Sequence, residues 1–133
     1  MSAAHNGVAA WHAYMASGGD ADLLAAQLAD DCVFHSPVVH TPQAGKAKVM
    51  LYLLSAAKVL GNDSFSYVRE IVDGNDALLE FTCEIDGIKI NGIDLIQFDD
   101  AGKIKDFKVM VRPLKAVNKL WEMMAGQLQA AQA

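Results

Sequence analysis

The chain has 133 residues, with 53% hydrophobic and 20% charged side chains, which excludes a disordered or fibrous polymer and predicts one globular domain over residues 1–133. Its net charge of −5 speaks against a nucleic-acid partner, which would favour a basic face. The densest apolar patch, Val49 to Leu60, is interrupted by Ser55 and Lys58 and is too short to span a bilayer, so no membrane partner is expected.

The opening residues show no cationic segment leading into an apolar run, so a secretory signal is not expected. Cys32 and Cys83 stand in apolar, strand-like contexts. They read as two reduced core thiols, which makes the cytoplasm the expected compartment.

In chain order, Val8, Trp11, Tyr14 and Met15 recur at helical spacing, and Gly18-Gly19 supplies a stop. Asp20 reads as an N-cap, with Asp22 in the first turn of a short second helix carrying Leu23, Leu24, Gln27 and Leu28. Cys32 to Ser36 predicts a short strand ended by Pro37, and a loop with Pro42 and Gly45 follows. A third helix is predicted from about Lys46 to Leu60, with Val49, Tyr52, Leu53, Ala56 and Leu60 on one stripe.

From Phe65 onward the period becomes two. Phe65, Tyr67, Arg69 and Ile71 alternate with Ser66, Val68, Glu70 and Val72, and Asp73-Gly74-Asn75-Asp76 is a hairpin signal. Further strands are predicted over about Ala77 to Ile85, Ile88 to Phe98 and Ile104 to Val111, separated by Asp86-Gly87 and Asp99-Asp100-Ala101-Gly102. Pro113 opens a last helix with Leu114, Val117, Leu120, Trp121, Met124 and Leu128, in which Trp121 with Leu120 and Met124 is most simply a packing face or, in the alternative, a patch that pairs two copies. Successive hairpins predict an antiparallel sheet, and helices grouped before it give the α+β class.

Trp11 on the first helix, Gly19-Asp20 at its end, Leu28-Ala29-Asp30-Asp31 and Phe34-His35-Ser36-Pro37 resemble the opening of the NTF2-like/SnoaL-like superfamily. Gly92 to Phe98 followed by Ala101-Gly102-Lys103-Ile104 resembles its late hairpin. This resemblance, closest to the ketosteroid-isomerase-related branch, runs from about Val8 to Leu120. It implies a cone: a curved sheet of four long strands plus a short one, packed on three N-terminal helices, with a C-terminal helix and a cavity inside. The superfamily holds polyketide cyclases, ketosteroid isomerases, epoxide hydrolases and dehydratases beside non-catalytic binding modules, and its members often dimerise through the outer face of the sheet. A homodimer is therefore expected, while function has to be argued from the site.

Alternation assigns the inward face. Leu79, Phe81, Cys83 and Ile85 share one side of their strand, and Phe107, Val109 and Val111 one side of the last. Ile90, Gly92, Asp94, Ile96 and Phe98 share a face, which sets a carboxylate among apolar neighbours. Burial raises the pKa of such a group, and a neutral acid can donate a hydrogen bond to a carbonyl or oxyanion. The resemblance implies that role for Asp94. In the isomerases an aspartate base precedes the proline that ends the first strand; here Ser36 precedes Pro37, and a hydroxyl is no base near neutral pH.

His12 fits the polar position of the family's first helix, and His40 sits in a loop expected to rim the mouth, so both join Asp94 as acid–base candidates. Trp11, Tyr14, Phe34, Ser36, Tyr52, Phe81, Ile96, Phe107 and Val109 are the expected ligand-binding walls. Arg69 shares a predicted face with Phe65 and Tyr67, from which it can reach the cavity or snorkel out to solvent. No CxxC, HExxH, GxGxxG or P-loop spacing occurs, so no metal or nucleotide cofactor is expected. The resulting expectation is a pocket for a small apolar ligand bearing a carbonyl or hydroxyl, with isomerase- or cyclase-type proton transfer if it is an enzyme. The alternative is a non-catalytic interaction or dimerisation module.

Overall fold

Local signals set the helix ends in the computed structural model, which describes residues 2–132. Helix α1 (Ala3–Ala16) is capped by Ser2, whose hydroxyl accepts from the His5 amide at 3.4 Å. Helix α2 (Ala21–Gln27) is capped by Asp20, which accepts from the Asp22 amide at 2.9 Å. Strand β1 (Leu28–His35) and the two-residue β2 (Gln43–Ala44) precede helix α3 (Lys46–Leu60). Strands β3 (Ser66–Asp73), β4 (Asp76–Ile85), β5 (Ile88–Phe98) and β6 (Ile104–Arg112) form the meander, and helix α4 (Leu114–Gln132) closes the chain.

The strands make one curved, unclosed sheet in the order β2-β1-β6-β5-β4-β3. The α+β cone expected from the sequence is therefore the fold, with two additions. β1 lies parallel to β6, so the sheet is mixed, and it starts at Leu28 because Leu28 pairs with Ile104 before the register breaks and resumes at Val33. The Pro42–Gly45 loop also holds a strand, β2, which pairs with Val33 and Phe34. Neither partnership is written in a local pattern, because each joins segments that short-range periodicity cannot connect.

β3 departs from regular alternation. Tyr67 pairs with Phe81, but the next partner, Glu80, pairs with Arg69, so Val68 is an extra residue in a β-bulge. Beyond the bulge the inward and outward sets exchange. Arg69 and Ile71 are exposed, against the expectation that they continue the face of Phe65 and Tyr67, while Val72 packs on the core.

Two close approaches fix the helices and the sheet. A Cβ on Gly7 of α1 would run into the ring of Phe98, so glycine lets α1 lie directly on β5. A Cβ on Gly92 would collide with the Phe81 ring and stand 2.8 Å from the Met110 carbonyl oxygen. The bare backbone of β5 leaves room for Phe81 to lie flat across it.

α1, α2 and α3 cover one end of the concave face, where Trp11, Tyr14, Leu24, Phe34, Leu53 and Phe107 share a core. α4 covers the other end, burying Ala116 and Leu120 against Val59, Phe81, Cys83 and Ile90. Its expected apolar stripe is narrower than the sequence pattern, since Leu114 and Trp121 are 74% and 63% exposed. The helix presents the Ala116–Leu120–Met124 line to the core, and those two residues lie off it. Both cysteines are buried free thiols, and burial pushes Cys83 up to about 11. Among the described residues no helix is long and apolar enough to cross a membrane.

Candidate functional site

Between the sheet and the helices lies a cavity of about 70 Å³. α1 contributes Trp11, Tyr14 and Met15; α3 contributes Leu53, Ala56, Ala57 and Leu60; and α4 contributes Leu120 and Met124. The sheet side holds Phe34, Phe65, Tyr67, Phe81, Asp94, Phe107 and Val109, with Ser36, Pro37 and Val38 after β1. The wall is almost wholly aromatic and aliphatic. Asp94 is the only carboxyl among its described residues.

Asp94 is 6% exposed and stands on β5 between Leu79 of β4 and Val109 of β6. Its Oδ2 accepts the hydroxyl hydrogen of Tyr67 at 2.5 Å, and the Tyr67 oxygen in turn accepts the indole N–H of Trp11 at 2.8 Å. No other hydrogen bond to the carboxyl forms among the described residues. Loss of water around Asp94 pushes its pKa up to about 7, with the Tyr67 hydrogen bond pulling the other way. The phenol of Tyr67 is driven far above its ordinary value, first by burial and then by the neighbouring carboxylate. Near neutral pH the site therefore holds a carboxyl present in both forms. Neutral, it can donate to a carbonyl; ionised, it can accept a proton.

Tyr14 lies beside Trp11, ring centroids 5.0 Å apart, and burial pushes its phenol up to about 12. Its hydroxyl is buried without a hydrogen-bond partner among the described residues. The Ser36 hydroxyl accepts from the Val38 amide at 3.1 Å, which shapes the turn after β1.

Of the three acid–base candidates only Asp94 lines the cavity. His12 points off the side of α1, 43% exposed, and its Nε2 meets Glu70 Oε1 at 2.7 Å. The bulge in β3 creates that pair by turning Glu70 toward α1. His40 is exposed and borders an outer groove of about 590 Å³ with His35, Val39, Pro42 and Lys108, which shares Ser36, Pro37 and Val109 with the cavity wall. Among the expected wall residues, Trp11, Tyr14, Phe34, Ser36, Phe81, Phe107 and Val109 line the cavity, whereas Tyr52 and Ile96 do not. Tyr52 turns onto Phe34, centroids 5.5 Å apart, and Ile96 is sealed between Ala77 and Phe107 two residues beyond Asp94.

Alternation groups Tyr67 with Phe65 and Arg69 and gives it no part in the site. The signal was there: a carboxylate on an apolar face needs a donor, and an inward tyrosine two strands away has the reach to supply it. Among the described residues no group of three or more His, Cys, Asp and Glu side chains is arranged to hold a metal ion.

A curved mixed sheet under helices, with one buried acid in an apolar cavity, defines the class of small cone-shaped α+β proteins. The chain belongs to the SnoaL-like family, whose domain pattern matches residues 8–107. A crystal structure from Pseudomonas aeruginosa described as a steroid delta-isomerase is 36% identical, with a TM-score of 0.92 over 99% of this chain and 96% of that one. An uncharacterised protein with a cystatin-like fold from Silicibacter pomeroyi is 32% identical, with a TM-score of 0.84 over 92% and 85% of the two chains. An NTF2-like protein of unknown function from Burkholderia xenovorans shares the fold at 17% identity, with a TM-score of 0.66 over 90% and 91%. A comparison with curated proteins finds no match.

Proposed function

We propose that this protein binds a small, largely apolar molecule in the cavity and holds its carbonyl or hydroxyl oxygen on Asp94. The observation that carries the reading is a single carboxyl, held by Tyr67, in an otherwise apolar wall. Such a group is costly to bury unless it has a use or a partner, and one precisely placed polar group in an apolar cleft suits a small-molecule site. The test is thermal stability against a panel of apolar ketones and alcohols, repeated with Asp94→Asn. A ligand at 100 times its dissociation constant raises stability by about 2.7 kcal/mol, an easily read midpoint shift. A shift in the wild type that shrinks in Asp94→Asn is the expected result; no shift across the panel would defeat the reading.

Isomerase-type proton transfer next to a carbonyl is the reaction this site suits best. It is supported by the Pseudomonas aeruginosa relative described as a steroid delta-isomerase and by a carboxyl that changes form near neutral pH. The acid–base role falls to Asp94, since His12 is held by Glu70 and His40 borders the outer groove. Conversion of a β,γ-unsaturated ketone to its conjugated isomer, followed by ultraviolet absorbance, is the assay. Turnover should fall by orders of magnitude in Asp94→Asn, and equal rates would remove Asp94 from the chemistry.

A pairing of two copies through the outer sheet face belongs to the same proposal. Ile71 and Met110 are exposed there beside the half-buried Leu78, Ile93 and Leu95. Sedimentation of the wild type and of Met110→Lys tests it, the variant being expected to shift toward monomer.

A further inference from the structure

We propose that Trp11 is a positioning residue. It fixes the direction of the Tyr67 hydroxyl, so that Asp94 offers a bound molecule only Oδ1, favouring a ketone when protonated and the matching alcohol when ionised. The inference rests on the binding reading above and sharpens its ligand class.

The argument is one of hydrogen-bond inventory. An indole N–H donates and never accepts, whereas a phenol has one hydrogen to give and an oxygen that accepts. Trp11 Nε1 lies 2.8 Å from the Tyr67 oxygen and occupies its accepting side. The one phenol hydrogen is thereby committed to Asp94 Oδ2, 2.5 Å away. Oδ2 is then an acceptor whether the carboxyl is charged or neutral. A proton taken up by the carboxyl sits on Oδ1, and Asp94 is a cavity-wall residue with no second donor or acceptor bonded to it among the described residues. Without Trp11, a neutral Asp94 can turn its proton onto the Tyr67 oxygen, and a bound ketone loses its donor.

The titratable groups around Asp94 are few. α1 brings Tyr14 and, against the Tyr67 ring, His12; β3 brings Tyr67 and Glu70; and β4 brings Cys83 on the inward face. Neighbouring β6 offers Val109 and Phe107, and the cavity faces of α3 and α4 are apolar. Burial drives Tyr14, Tyr67 and Cys83 upward, away from neutrality. The His12 ring lies 5.6 Å from that of Tyr67, so His12 needs its own control.

The test uses the full chain and the probes 1-indanone and 1-indanol, titrated calorimetrically at pH 5.5 and 8.5. In the wild type the ratio of the two dissociation constants should move by roughly tenfold toward the ketone at the lower pH, the usual scale for gaining or losing one buried hydrogen bond. His12→Gln should keep that swing. Trp11→Phe should cut it to about twofold, and so should replacement of Trp11 by 3-benzothienylalanine, which keeps the ring volume and lacks the N–H. The isostere decides the matter if Trp11→Phe folds poorly. Retention of the full swing without the indole N–H would overturn the proposal, as would wild-type binding of both probes with no swing. Failure of the wild type to bind either probe at either pH would instead bring down the binding reading beneath it.

Discussion

Replacing Asp94 with Asn should remove a loss of stability that the wild-type chain suffers as pH rises. The carboxyl's pKa is about 7 in the folded protein against an ordinary 3.8, so the folded state holds the proton more tightly than the unfolded chain. Between pH 4 and 7 the native protein binds more protons than the unfolded one, and stability falls with rising pH across that window before levelling off. At about 1.4 kcal/mol per pH unit over roughly three units, the loss is about 4 kcal/mol. That is a large share of the 5–15 kcal/mol typical of a whole domain. Asparagine keeps the shape, can still accept from Tyr67, and has no charge to desolvate. Urea unfolding at pH 4 and pH 8 gives the comparison, with each difference taken as variant minus wild type. The difference should rise by about 4 kcal/mol between the two pH values, equivalent to a midpoint change on the order of 10 °C. Profiles that run parallel to within about 1 kcal/mol would refute the claim that Asp94 is desolvated in the folded state.

Tyr67→Phe removes the hydrogen bond that favours the carboxylate, so Asp94 should titrate at a still higher pH, as read from its side-chain carbon shift by NMR. Gly92→Ala forces the new methyl against Phe81 and the Met110 carbonyl, and should cost about 1–3 kcal/mol in urea unfolding at unchanged m-value. Leu120→Ala should cost about 2–5 kcal/mol and enlarge the cavity, visible as binding of a bulkier ketone that the wild type rejects. Trp121→Ser, at an exposed point of the same helix, should change stability by no more than about 0.5 kcal/mol.

Periodicity carried much of the fold, because hairpin turns and alternating strands are local statements. α3 spans Lys46–Leu60 and β5 spans Ile88–Phe98, the bounds their patterns predict. The same alternation put Asp94 on the apolar face, and its burial follows from that placement. What alternation could not supply was anything set by pairing at long range. The parallel β1–β6 contact brings His35 onto Asp106 at 2.8 Å, and no spacing in the chain announces it. The Trp11–Tyr67–Asp94 chain joins a helix and two non-neighbouring strands, with β4 between those strands, so its members share no window of sequence. Tyr52 shows the converse: it lies on the predicted helical stripe, but its ring packs on Phe34 beside the cavity, because a stripe is wider than a cavity.

The bulge at Val68 makes β3 two strands in different phase. Before it, the strand answers to the cavity through Tyr67; after it, to α1 through Glu70 and to the core through Val72. With Val68 in the sequence an uninterrupted pleat could not do both, because strict alternation through Val68 would carry Arg69 and Ile71 inward. Val68 is thus the residue that the bulge absorbs, and its side chain is 56% exposed. Any residue tolerating that backbone would serve. Deleting the position would leave the inward order Tyr67, Glu70, Val72 intact while straightening the strand, so the bulge's remaining contribution is the bend it gives the sheet's edge.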